Sequence, residues 1–280
     1  MSDSGRGGTV SFVGAGPGAP DLLTIRGRER IAQADLLIYA DSLVHPGVAA
    51  CAADGAEVIG SASLTLEETT ARMLSAVRNG KYVVRVQSGD PSVYGAMHEQ
   101  LTILEQEGVP YEIVPGVSSA FAAAAALHTE LTVPDISQTV ILTRMAGRTT
   151  LPPGESMRDL ARHGASLVIF LSIPMIERVV EELREGGYPA GTPAAVVYRV
   201  TWEEELILRG TLDDIAAKAK AAKVQLQALI LVGPVLDESL RQREAHHRSN
   251  LYNPSFTQRH RHATAGASEP AAGGTAADGS

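Results

Sequence analysis

Residues 9–24, TVSFVGAGPGAPDLLT, pass from an apolar β-branched run through three glycines and two prolines into an amphipathic segment that begins at Leu22. This is the pattern of a strand, a tight turn and a helix, the unit with which an α/β sheet presents its backbone to a small ligand. Gly14, Gly16 and Gly18 allow positive φ and close approach of a partner to the main chain, and Pro17 and Pro20 stiffen the turn. The dinucleotide fingerprint G-x-G-x-x-G does not fit. The third glycine comes one residue early, and Pro17 removes an N–H that a pyrophosphate would use. The loop predicts a ligand without saying which.

Short β runs then alternate with helical stretches. The runs lie at 11–13, 35–40, 56–60, 82–88 and 111–116, with helical patterns over 22–33, 66–79 and 94–107. Runs that are apolar without alternation are buried on both faces, which predicts a mostly parallel sheet covered by helices over residues 9–118. After the alanine-rich segment 119–127 a second series follows, at 138–143, 166–172, 193–199, 205–210 and 227–233. PAAVVYRV leads into TWEEELILRGT without an intervening helix, so this second sheet is expected to be mixed, with an antiparallel pair. The fold class is thus α/β, with a second α/β domain over 119–236. Residues 237–280 form a C-terminal extension, polar and Gly/Ala/Ser-rich, expected to be disordered from about 263. Two sheets meeting near residue 120 leave a cleft, a common place for a small-molecule site.

Composition narrows the function classes. With 44% hydrophobic and 20% charged residues the chain reads as globular. No apolar run approaches the roughly 20 residues that span a bilayer, and MSDSGRGG lacks a signal-peptide core, so a cytoplasmic protein without membrane partners is expected. A formal charge of −8 argues against a nucleic-acid surface. Cys51 is the only cysteine, which excludes an intramolecular disulfide and a thiolate cluster. The histidines show no paired ligand spacing, and those at 246, 247, 260 and 262 fall in the polar tail, so no metal site is predicted.

Three further motifs carry chemistry. QSGDPSVYG (87–95) follows a strand and is expected to open a helix, with Asp90 as N-cap and Pro91 at the first helical position. Gly89 lies there at a strand's carboxyl end, where open α/β sheets bind ligands. PGVSSAFAAAAAL (115–127) repeats the logic, with Ser118 and Ser119 at the helix start. Arg144 and Arg148 in TRMAGRT, and Arg199 in VVYRVTWEEE, stand at strand ends. Together they offer guanidinium groups to a polycarboxylate. No G-x-S-x-G elbow or other nucleophile set is present, and no catalytic residue is assigned. Such a chain suits a reaction in which the substrates bring the reactivity and the protein brings position.

In order and spacing, GAGPGAPDLLTIRG, SGDPSVYG and PGVSS resemble the tetrapyrrole methylase family, over residues 9 to about 235. YADSLV (39–44), TRMAGRT, YRVTWEEE and the tail element SNLYNPSF (249–256) resemble its cobalamin-pathway members rather than the siroheme branch. The resemblance implies two α/β domains, a homodimer, and S-adenosyl-L-methionine as methyl donor in the interdomain cleft, with a tetrapyrrole as substrate. It places cofactor contacts on Pro17, Ser88, Gly89, Asp90, Val93, Ser118 and Ser119, and further along on Leu171, Tyr198, Arg199 and Ala228. Gly14 and Gly16 would lie over the macrocycle, and Arg144 and Arg148 would grip its acetate and propionate arms. Ser88 stands where many members carry glycine, and Asp41 where glycine is common. A siroheme-branch enzyme, a non-catalytic corrinoid carrier and a nicotinamide oxidoreductase are the competing readings.

Overall fold

The computed structural model describes residues 7–241 except 148, together with residue 257. The first lobe runs β1 (Val10–Gly14), α1 (Ile25–Ala32), β2 (Leu36–Tyr39), α2 (Pro46–Ala49), β3 (Glu57–Gly60), α3 (Leu66–Arg78), β4 (Val83–Gln87), α4 (Met97–Gln106) and β5 (Tyr111–Val114). Its sheet has the order β3-β2-β4-β1-β5, and every pairing is parallel. β1 and β4 are buried at each position. Val13, Leu37, Val84 and Val86 pack to one side against Ile31 and Val48, while Phe12, Ile38 and Val83 pack to the other against Met73 and Leu104. The non-alternating apolar runs therefore fill two cores at once.

The helix expected from Leu22 starts three residues later. Pro20 opens a single 3₁₀ turn over Pro20–Leu22, and Thr24 then caps α1, its hydroxyl accepting the Gly27 N–H at 3.0 Å. α3 begins on a capping box formed by Thr65 and Glu68.

The second lobe runs α5 (Ser119–Ala126), β6 (Val140–Arg144), α6 (Met157–Ala161), β7 (Ser166–Phe170), α7 (Ile176–Glu185), β8 (Pro193–Tyr198), β9 (Leu206–Thr211), α8 (Ile215–Ala221) and β10 (Ala228–Val232), with sheet order β6-β7-β10-β8-β9. β6 and β7 are parallel, and the expected antiparallel pair β8–β9 is present. The last strand inserts between β7 and β8, antiparallel to both, so the sheet is more antiparallel than the sequence suggests. The alanines of α5 let that helix lie close on this sheet, where Ala120, Ala123 and Leu127 pack with Val168, Leu229 and Leu231. No helix among the described residues is long and apolar enough to cross a membrane. The expected disorder beyond 263, the tail motif 249–256 and the tail histidines lie outside the described residues.

Candidate functional site

The carboxyl ends of β1, β4 and β5 meet through glycine. A Cβ on Gly116 would sit 2.1 Å from the Gly89 carbonyl oxygen and 2.7 Å from Gly14 Cα, and one on Gly14 would meet Gly116 and the Gly89 carbonyl at 2.6 Å. Three strand ends therefore touch backbone to backbone. Gly16 and Gly89, both at positive φ, exchange two hydrogen bonds of 3.2 and 2.8 Å, and the Ala15 N–H reaches the Gln87 carbonyl at 2.7 Å. The first glycine loop is thereby fixed beside the SGDP turn at the edge where ligands of open α/β sheets sit.

Asp90 does not cap a helix. Residues 91–94 form a turn, Tyr94 and Ala96 take left-handed φ of 54° and 46°, and α4 starts only at Met97. The Asp90 carboxylate instead accepts the Ser92 N–H at 2.9 Å, the Ser92 hydroxyl and, 26 residues on, the Gly116 N–H at 2.9 Å. Burial works to raise its pKa, but the Ser92 and Gly116 donors outweigh this and hold it below the usual carboxylate value. Asp90 is thus a staple between two strand-end turns. Its ionised form contributes to stability above the unfolded carboxylate pKa, and that contribution is lost as pH falls through the lowered folded value. Ser118 is the N-cap of α5, accepting the Ala120 N–H at 3.3 Å, and Ser119 follows it half-buried.

On the second sheet, the register brings together residues far apart in sequence. Ala228 pairs with Tyr198, and continuing the pairing of Ile230 with Ile169 sets Ala228 opposite Leu171. Leu171 has φ 53° and is 65% exposed, so its backbone strain is kept while its side chain stays free for a partner. Arg144 ends β6 next to Phe170, and its guanidinium donates to the Met145 and Thr150 carbonyls at 3.2 and 3.3 Å. Arg199 is more committed than its sequence position suggests. It donates to Gln227 Oε1 at 2.5 Å, pairs with Glu204 at 3.2 Å and lies over the Trp202 ring at 5.1 Å. Arg148 lies outside the described residues.

Residues that the sequence did not single out join the lobes. Trp202 donates through Nε1 to the Pro17 carbonyl at 3.2 Å, covers Gly18, and meets the His45 ring at 5.0 Å. Beside it, the Ala19 N–H reaches Thr201 Oγ1 at 3.0 Å and Gln227 Nε2 donates to the Ser42 carbonyl at 2.6 Å. At another point Tyr94 packs on Phe170, 5.3 Å between ring centres. Burial raises the Tyr94 phenol above its usual pKa, with Arg144 acting in the opposite sense. The only sequence signal for this latch is one tryptophan in an acidic turn. The Pro17 carbonyl is taken by Trp202, so any contact from Pro17 to a ligand uses another atom. Among the described residues no group of three His, Cys, Asp or Glu is placed to hold a metal.

A two-lobed α/β chain with glycine-lined strand ends facing a second sheet edge is a known class. The family model for tetrapyrrole (corrin/porphyrin) methylases matches residues 9–216. A cobalt-precorrin-4 C(11)-methyltransferase from Methanocaldococcus jannaschii is 49% identical over 252 residues, 90% of this chain and 95% of that protein. The X-ray structure of a cobalamin biosynthetic enzyme, cobalt precorrin-4 methyltransferase, overlays with TM-score 0.82 and 46% identity, covering 85% of this chain and 99% of that one. Uroporphyrin-III C-methyltransferase from Thermus thermophilus, complexed with S-adenyl homocysteine, overlays with TM-score 0.68 and 28% identity, covering 82% and 93%. The chain belongs to the tetrapyrrole methylase family.

Proposed function

We propose that this chain transfers a methyl group from S-adenosylmethionine to carbon 11 of precorrin-4, with or without cobalt, in cobalamin biosynthesis. The observation that supports this best is the backbone junction of Gly14, Gly89 and Gly116, which fixes three strand-end turns against one another at the sheet's ligand edge. Turns held in this way offer backbone N–H and C=O groups to a compact zwitterionic donor. Turns at Pro17, Ser88–Asp90 and Ser118–Ser119 would hold its polar groups, and Val93, Leu171 and Ala228 its apolar surface, with Gly14 and Gly16 toward the macrocycle. Tyr198 and Arg199 close that side. When bound, the donor brings a methyl already activated on a positive sulfur. The share of the protein is to set the accepting carbon in line with it, and such positioning is worth on the order of 7–11 kcal/mol of the barrier. Such a transfer would leave the carbon–sulfur electron pair on sulfur, form the new carbon–carbon bond from an electron pair of the ring, and release one proton from the methylated ring to balance the charge.

Incubation with S-adenosylmethionine and early precorrins, metal-free and cobalt-loaded, followed by mass spectrometry and NMR of the product, tests the reading. A methyl at another carbon assigns the chain to a different branch. Bound macrocycle without turnover makes it a carrier. We take the working form to be a cytoplasmic homodimer of two-domain chains divided near 118/119. The packing of α5 on the second sheet supports that division, and the exposed Ile113 and Phe121 would gain a cover in a dimer.

Two substitutions divide the cleft by ligand. Asp90→Asn keeps one acceptor oxygen where Ser92 and Gly116 now use two, and turns an N–H2 group toward whichever donor is left, so it is expected to weaken S-adenosylhomocysteine binding about tenfold while costing about 1 kcal/mol of stability. Calorimetry beside thermal melting checks both, and an unchanged affinity rejects the role. Arg144→Ala is expected to raise KM for the macrocycle about tenfold and leave S-adenosylhomocysteine affinity as it is. Equal losses of both would remove Arg144 from the substrate side.

A further inference from the structure

Among the described residues, one cation of the first lobe is buried without an ion-pair partner. Arg85, on β4, is 8% exposed, and its partners are all neutral: Gln100 Oε1 at 3.3 Å, Ser61 Oγ at 3.1 Å, and the Ile38 and Val86 carbonyls at 3.4 Å each. Burial pulls the guanidinium down to about 10, against the pull of the more distant Asp41 carboxylate. A buried charge without an ionic partner is costly to keep, which calls for an account of what it meets.

Arg85 lines a pocket of about 280 Å³ together with Ser61, Thr65, Ala96, Glu99 and Gln100. The lining comes from residues 61–69, which follow the carboxyl end of β3, from Arg85 in the middle of β4, and from the start of α4. Ala96 is the left-handed residue that ends the turn carrying Asp90 and Val93, so pocket and cofactor loop share one strained segment. Glu99, the one acidic residue of the lining, is exposed at the rim where solvent screens it, and the guanidinium is the buried member.

We propose that this pocket receives one peripheral carboxylate of the substrate, an acetate or propionate arm, on the Arg85 guanidinium. The inference rests on the reading that the substrate is a polycarboxylate macrocycle. It makes Arg85 a substrate-binding residue that fixes how the ring is turned against the methyl donor. A planar fork suits a carboxylate, and its neutral neighbours leave the charge for the ligand.

The test compares wild type, Arg85→Met and Arg85→Lys by melting temperature, S-adenosylhomocysteine affinity, and KM and kcat for precorrin-4 methylation. Removing an uncompensated buried charge for an apolar side chain of similar length is expected to leave melting unchanged or raise it. KM is expected to rise about 10- to 100-fold with little change in S-adenosylhomocysteine affinity. Arg85→Lys, which keeps charge but loses the fork, is expected to fall between. A lower melting temperature with wild-type KM makes Arg85 purely structural and overturns the proposal. If Arg85→Met does not fold, a wild-type KM in Arg85→Lys does the same. Wild-type protein that binds S-adenosylhomocysteine but methylates no precorrin sinks the functional reading itself, a result separate from any change in KM between variants.

Discussion

Gly116→Ala is expected to cost about 3 kcal/mol or more of stability and to abolish S-adenosylhomocysteine binding, because the new methyl meets backbone on every side. The Gly89 carbonyl would be 2.1 Å away and Gly14 Cα 2.7 Å away, and neither is the end of a side chain that can swing aside. Relief requires β5 to move off β1, which also pulls the Gly116 N–H from Asp90. Gly191→Ala is the matched control. Gly191 is exposed and its Cβ would have nothing within 4 Å, so a change within about 0.5 kcal/mol is expected. Thermal or urea unfolding of the two variants side by side decides the matter, and a Gly116→Ala protein as stable as its control would show that the strand ends are not tightly joined.

Trp202→Ala is expected to cost about 2–3 kcal/mol, below the value for a fully buried tryptophan because this one is half-buried, and to lower S-adenosylhomocysteine affinity more than tenfold. The loss has three parts: the bond to the Pro17 carbonyl, the cover over Gly18, and the stack with His45 and Arg199. Trp202→Phe keeps the ring contacts and loses the N–H, so a smaller cost of about 1 kcal/mol is expected. Calorimetric titration of both variants checks this. Wild-type affinity in Trp202→Ala would mean that the glycine loop holds its shape without the second lobe.

The ten strands are legible in the sequence because each is a short apolar run between turn residues, densest in β1, β4, β7 and β10, which are buried at every position. The long amphipathic helices are legible for the same reason. α3, expected over 66–79, carries its signal openly, with Thr69, Thr70, Met73 and Ala76 buried along one face, whereas α2 and α6 are too short to show a period. The start of α4 is masked by a false capping signal. Asp90 and Pro91 look like a helix entry, but the carboxylate is drawn to Gly116 on another strand end, and the chain needs left-handed Tyr94 and Ala96 before it can coil. What sequence could not supply is register. Nothing in the spacing tells that Leu171, Tyr198 and Ala228 share an edge, that Gln227 reaches Ser42, or that Arg199 spends its guanidinium on Gln227 and Glu204.

The order β3-β2-β4-β1-β5 sets a timetable for synthesis. Val10 and its neighbours leave the ribosome well before either partner strand and take their places only between Val83 and Tyr111. Until most of the first lobe has been made, an apolar strand with both edges open waits in the nascent chain, where long-range pairing is slow and vulnerable to aggregation. The central position that gives β1 its dry seat in the finished protein thus leaves it exposed to wrong partners while translation is under way.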